Sequence, residues 1–178
     1  TPGNLVLENA LRSLALENVT VLSPAAFDEK AAGAAEASLA FDVVVLDRCQ
    51  PKTLPRNNYL VLGQPPALEG LTAEGPAKDQ FILDWRTTHP ALRFVNLADI
   101  YAAEYWKLTL PPDAQVLAEG SRGPVMALLS RKPGTFLLIN FEVLRSDWPF
   151  RPGFVMFLQN ATRLLGGQAA EGTEPGLK

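Results

Sequence analysis

Cys49 and His89 are the single cysteine and the single histidine of this chain. Any relay built on a thiol or an imidazole must therefore run through that pair. A cysteine attacks as the thiolate, which requires a base within hydrogen-bond reach and backbone donors around the developing oxyanion. Both are commonly supplied by a tight Gly-x-Cys-x-Gly elbow at a helix start. The segment Asp47-Arg48-Cys49-Gln50-Pro51 contains no glycine, so an inert, partly buried thiol is the expectation. His89 precedes Pro90, and such a step reads as the closure of a loop with the imidazole bonded to backbone. One imidazole also excludes a zinc site made of several histidines.

The carboxylates Asp84, Asp99, Glu142 and Asp147 fall near the ends of expected elements, where a general acid or a metal ligand could sit. Their spacing matches no metal loop, and carboxylates at element ends are commonly caps. Ser146-Asp147-Trp148-Pro149 reads as a locked turn with its indole on the core. No phosphate-cradling glycine pattern occurs anywhere, so neither a nucleotide nor another cofactor is expected. Asp47, Cys49, Gln64 and Glu142 form a candidate small-molecule pocket, because carboxyl ends of parallel strands are where α/β sheets hold ligands.

The 178 residues suit one domain with a real core, and 47% hydrophobic with 20% charged residues at net charge −3 is ordinary globular composition. No basic stripe is present to neutralise phosphates, which argues against a nucleic-acid partner. The most apolar windows, 43–46 and 136–141, are far shorter than the roughly 20 residues that cross a bilayer. This stretch of chain is not expected to span a membrane.

Elements able to position these groups follow from pattern. Asn4 can cap a helix with Leu7, Leu11 and Leu14 on one face, and Pro24–Ser38 reads as a second helix with proline in its first turn. Between them Asn18–Ser23 is β-branched and reads as a strand. Phe41–Asp47 and Asn58–Leu62 are too apolar to alternate, the signature of parallel strands buried on both faces. Leu68–Asp79 carries Gly, Pro and Ala and reads as loop, before a short strand at Phe81–Leu83. Then come four short strands, Tyr105–Leu110, Ala114–Glu119, Val125–Ser130 and Thr135–Phe141, separated by turn residues that favour hairpins. A last helix begins at Pro152, buries Phe154, Phe157, Leu158, Ala161, Leu164 and Leu165, and stops at Gly166-Gly167. Residues 1–167 thus read as one domain, with a further strand upstream of Thr1, and 168–178 as a linker or disordered tail.

The run Gly123-Pro124-Val125-Met126, the strand Pro133–Phe141, Asp147-Trp148-Pro149, the final helix and Thr88-His89-Pro90-Ala91-Leu92 together resemble class I glutamine amidotransferase-like domains, including the ThuA-like group. Thr1-Pro2-Gly3-Asn4-Leu5, Asp84-Trp85 with His89-Pro90, and Asp147–Pro152 resemble more closely the C-terminal domain of BatA-type bacterial membrane proteins that carry a von Willebrand factor A domain. The resemblance implies an α/β fold, a flavodoxin-like, mostly parallel sheet flanked by helices with antiparallel hairpin strands in its C-terminal half. It departs from the family at the missing nucleophile elbow and at Glu142, where ThuA-like sequences often have histidine.

The expected role is accordingly a non-catalytic interaction or ligand-sensing domain of a larger membrane-anchored bacterial protein. Its partners would be other domains of the same polypeptide or a separate protein. Two alternatives stay open: a hydrolase or amidotransferase-like enzyme using Cys49 and His89, aided by Glu142, and a small-molecule-binding domain.

Overall fold

A computed structural model describes residues 3–34 and 39–167. Asn4 accepts the Leu7 N–H at 3.1 Å and opens α1 (Leu5–Arg12), whose Leu7 and Leu11 are buried. Ser23 caps α2 (Pro24–Gly33) in the same way, leaving Phe27 and Ala31 inward. The remaining residues expected in that helix, 35–38, lie outside the described residues, as does the expected linker 168–178.

The strands β1 (Val44–Asp47), β2 (Tyr59–Leu62), β3 (Thr72–Trp85), β4 (Tyr101–Thr109), β5 (Gln115–Gly120), β6 (Gly123–Arg131) and β7 (Gly134–Ile139) form one seven-stranded sheet in the order β1-β2-β7-β6-β5-β3-β4. β1, β2 and β7 run parallel, and every other pairing is antiparallel. The helix α3 (Pro152–Leu165) lies on one face, where it packs with α1 and with the short turn Pro90–Leu92. β2 and the 136–139 part of β7 are buried throughout because both faces are covered: Leu60, Leu62, Leu137 and Ile139 join the α1–α3 cluster, while Tyr59, Val61, Phe136 and Leu138 join the smaller one with Phe27 of α2. Period-2 alternation between two cores explains their unbroken apolar runs.

The expected flavodoxin-like architecture is not what forms. Only three of the seven strands are parallel, the described residues contain three α-helices, and the sheet curls into a half-barrel. The curl originates in β3, the segment read as loop. From Thr72 to Phe81 it pairs with β4, and from Ile82 to Trp85 with β5, so a single strand turns the corner between two ladders. A bulge between Glu74 and Ala77, at Gly75-Pro76, absorbs the bend where proline has no N–H to give. Most of its side chains up to Asp79 are exposed, so no hydrophobic period marked it. Conversely, Asn18–Ser23 forms no ladder, and Val21 and Leu22 remain exposed despite their β propensity.

Closure comes from the chain leaving β7. Trp106 N–H donates to the Asn140 carbonyl at 2.7 Å, Asp147 N–H donates to the Tyr101 carbonyl at 3.3 Å, and Ala102 bridges Ser146. The outer edge of β4 is thereby occupied rather than left as a template for another strand. The Asn140 side chain, 1% exposed, sits at the junction: its Nδ2 faces Gln80 Oε1 at 3.1 Å, the Trp106 carbonyl at 2.9 Å and the Pro124 carbonyl at 3.1 Å.

Removing that amide strands buried acceptors on three strands at once. Asn140→Ala should lower unfolding stability by about 2–4 kcal/mol in a urea titration. A loss under about 0.5 kcal/mol would show that the junction is not what holds the curl.

Candidate functional site

The carboxyl ends of β1, β2 and β7 lie side by side, since Asp47 is in register with Leu62 and Leu62 with Ile139. From this edge emerge Asp47 and Cys49 after β1, Gln64 after β2 and Glu142 after β7, so the structure gathers all four residues of the candidate pocket at one end of the sheet. Gly63, at φ 99°, makes the approach of the last two turns feasible. A Cβ there would stand 3.3 Å from Glu142 Cγ and 3.8 Å from the Trp106 ring. Gln50 ties the neighbouring loops together, its Nε2 donating to the Pro65 carbonyl at 2.8 Å. One Asp47 oxygen pairs with Arg48 Nε at 3.3 Å, while the other is buried without a hydrogen-bond partner.

This edge disfavours a thiolate. Burial, then the charges of Asp28 and Asp47, push the Cys49 thiol above its ordinary 9.0. Asp28 belongs to α2 and reaches the same loop, accepting the Lys52 N–H at 3.0 Å.

His89 stands elsewhere. It follows β3 and caps the turn Pro90–Leu92, where its Nδ1 accepts the Ala91 N–H at 3.2 Å. The imidazole therefore carries its proton on Nε2. Its pKa is lowered from 6.5, first by burial and then by Arg86. Between β1 and β3 the sheet order interposes β2, β7, β6 and β5. That is five strand spacings, on the order of 24 Å along the curved sheet. Cys49 and His89 are not brought together.

The other carboxylates are used locally. Asp84 accepts the Trp85 N–H at 2.9 Å. Asp99 occupies a left-handed turn at φ 59°. Asp147 accepts the Tyr101 N–H at 3.0 Å and pairs with Arg151 at 2.7 Å. Partial burial pushes the Asp147 carboxyl up, but the bonds from Arg151 and Tyr101 outweigh it and hold it below 3.8. Next to it Trp148 is fully buried against Phe141, Phe154 and Phe157. Among the described residues no group of three or more His, Cys, Asp or Glu side chains is placed to hold a metal ion.

Two features escaped the sequence reading. Asn140 gave no sign of its role beyond being a polar residue after an apolar run. A cleft of about 550 Å³ lined by Thr87, Thr88, Leu92, Arg93, Phe94 and Val95 combines residues whose exposure only the fold decides.

No protein-family model matches the chain, and no curated protein matches it either. Two solved structures from Salmonella typhimurium share its fold. The Cytoplasmic Protein STM1381 of strain LT2 superposes with a TM-score of 0.68 at 11% identity, covering 93% of this chain and 88% of that one. The Cytoplasmic Protein STM3548 does so with a TM-score of 0.56 at 10% identity, covering 89% and 85%. At such identities the likeness is one of fold alone. It corrects the resemblance drawn from the short motifs: the chain aligns with these curled mixed sheets and not with a glutamine amidotransferase-like or BatA-type domain. The expected membrane-anchored parent protein loses the support of that resemblance. No helix among the described residues is long and apolar enough to cross a membrane.

The shifts give two pH signatures. Because the folded state binds a proton at His89 less readily than the unfolded chain, the stability contributed there is complete above pH 6.5 and is lost as pH falls from 6.5 towards the folded value. His89→Gln should flatten that part of a stability–pH profile. Asp113, held down chiefly by its bond from Arg131, and Asp147 act lower, their contributions being lost only as pH falls below 3.8. For Cys49, the iodoacetamide alkylation rate should still be rising above pH 9.0; a plateau near neutral pH would contradict the thiol environment described.

Proposed function

We propose that this chain is a non-catalytic interaction or ligand-sensing domain, acting on other domains of its own polypeptide or on a separate protein. The observation that carries this is the separation of Cys49 from His89 across the sheet order, with each environment favouring the neutral side chain. Nucleophilic catalysis by this pair needs the opposite: a thiol and an imidazole within hydrogen-bond reach and a stabilised thiolate. Cys49 also lacks an elbow, since it follows Arg48, a non-glycine residue at φ 50°, and leads into Gln50-Pro51 rather than into a helix.

The small-molecule reading is favoured by one specific observation, the convergence of Asp47, Gln64 and Glu142 at the carboxyl edge. These groups would recognise a hydrogen-bond-donating or cationic solute and provide no nucleophile.

The purified chain, given glutamine and simple amides, should release no ammonia above the level of Cys49→Ala. Turnover that the substitution abolishes would refute the proposal.

A further inference from the structure

The cleft beside the Pro90–Leu92 turn differs from the carboxyl edge in shape and charge. Phe94 projects from it with 81% of its surface exposed, on a backbone at φ 61°. A bulky aromatic residue rarely adopts that conformation, and it persists only where the surroundings enforce it. They do so on both sides of the ring. The Arg93 carbonyl accepts from Asn160 Nδ2 of α3 at 2.8 Å, and the Val95 carbonyl accepts from Trp85 Nε1 of β3 at 3.1 Å. The Val95 N–H returns to the Leu92 carbonyl at 3.1 Å. A strained, fastened loop thus displays an aromatic ring to solvent. Met156 of α3, exposed as well, lies three residues after Gly153, which packs on Asn96, and four before Asn160. Helical spacing puts it on the stripe facing this loop.

The lining of the cleft carries one charged side chain, Arg93. Arg93 lies over the Phe94 ring at 5.2 Å, and neither it nor Arg86 has an ion-pair partner among the described residues. Arg86 is close enough for its field to act on His89. Arg86 itself lies next to the cleft, in a neighbouring depression that it shares with Asp84 and Glu119. In a chain of net charge −3, an apolar, concave surface whose one charged lining residue is the cation Arg93 is a local inversion of charge.

We propose that this cleft docks a linear segment of a partner protein in which an aromatic or large aliphatic residue is flanked by acidic ones. The apolar side chain would fill the space beside Phe94, Leu92 and Val95, and the carboxylates would pair with Arg93 and with Arg86, which precedes the lining residue Thr87. A cavity of about 550 Å³ holds one or two large side chains and not a folded surface. Two arginines fall short of the cluster of four or more basic residues that reads as an anionic-lipid site. The inference rests on the interaction-domain reading, and its test is independent of turnover: a failure here leaves the catalytic question where it stood.

The test uses the intact chain and two dye-labelled peptides, Asp-Glu-Phe-Glu-Leu-Asp and its charge-reversed form Lys-Lys-Phe-Lys-Leu-Lys, followed by fluorescence anisotropy. Expected are salt-sensitive binding of the acidic peptide alone, weakening by about tenfold or more in Phe94→Ala, and a switch of preference to the lysine peptide in the double variant Arg86→Glu with Arg93→Glu. Circular dichroism confirms that the variants are folded, and Phe94→Gly, which relaxes the backbone while deleting the ring, should bind as weakly as Phe94→Ala. No binding of either peptide up to millimolar concentration, equal binding of both, or indifference to Phe94 would overturn the proposal. So would Phe94-dependent self-association in light scattering, or Phe94-dependent binding to phosphatidylserine vesicles without peptide binding.

Discussion

One buried side-chain amide joins the strands that give this sheet its shape. Asn140 leaves the last residue of β7 with its backbone bonded to both Val125 of β6 and Trp106 of β4, while its Nδ2 faces acceptors from β3, β4 and β6. An apolar residue there would leave buried carbonyls unpaired at a cost of a few kcal/mol, and charged residues would have to be desolvated. A short amide donates through its side chain and both donates and accepts through its backbone, although its own Oδ1 is buried without a hydrogen-bond partner. With β4 held against the chain leaving β7, the half-barrel curl of the sheet is fixed. The segment 141–150 is carried over the core, where Trp148 enters among Phe141, Phe154 and Phe157 and fixes the start of α3. α3 in turn fastens the Pro90–Leu92 loop through Asn160.

That chain of dependence divides the molecule into two ends of unlike chemistry. The three parallel strands present Asp47, Cys49, Gln64 and Glu142 at their carboxyl edge, crowded and acidic. The corner strand β3 delivers His89 and the basic, aromatic cleft to a different region of the curled sheet. The division sets the thiol and the imidazole in unlike surroundings and makes each a poor partner for the other. The two proposed recognition surfaces thus differ in their lining, carboxylates and an amide at one and an arginine with an exposed aromatic ring at the other.

Much of the local structure was legible. Asn4, Ser23 with Pro24, and Pro152 with Gly166-Gly167 mark helix ends through hydrogen bonds local in sequence, and β2 and β7 announce burial on both faces by unbroken apolar runs. The hairpin turns at 121–123 and 131–134 separate antiparallel strands as their residue types indicate. What stayed hidden depends on distant partners. β3 is largely polar and solvent-facing up to Asp79, and pairs only because β4 lies beside it. Asn18–Ser23 has strand propensity and no neighbour. The curl arises at a bulge and at Asn140, neither of which has a periodicity to detect. Local motifs such as Asp147-Trp148-Pro149 describe a turn that different folds can share, which is how they suggested a flavodoxin-like family for a curled mixed sheet. At the candidate site, strand-end position sufficed to collect Asp47, Cys49, Gln64 and Glu142. The strain at Phe94 and the freedom of Arg86 and Arg93 needed coordinates.

The central claim, that the sheet keeps the thiol and the imidazole apart, can be tested without ambiguity because each is unique in the chain. A nitroxide attached to Cys49 broadens nearby proton resonances, and His89 gives the single imidazole Hε1 signal. The account predicts that this signal stays visible in the labelled protein and changes little when ascorbate quenches the nitroxide. A signal lost on labelling and restored by ascorbate would place the two side chains together and contradict it.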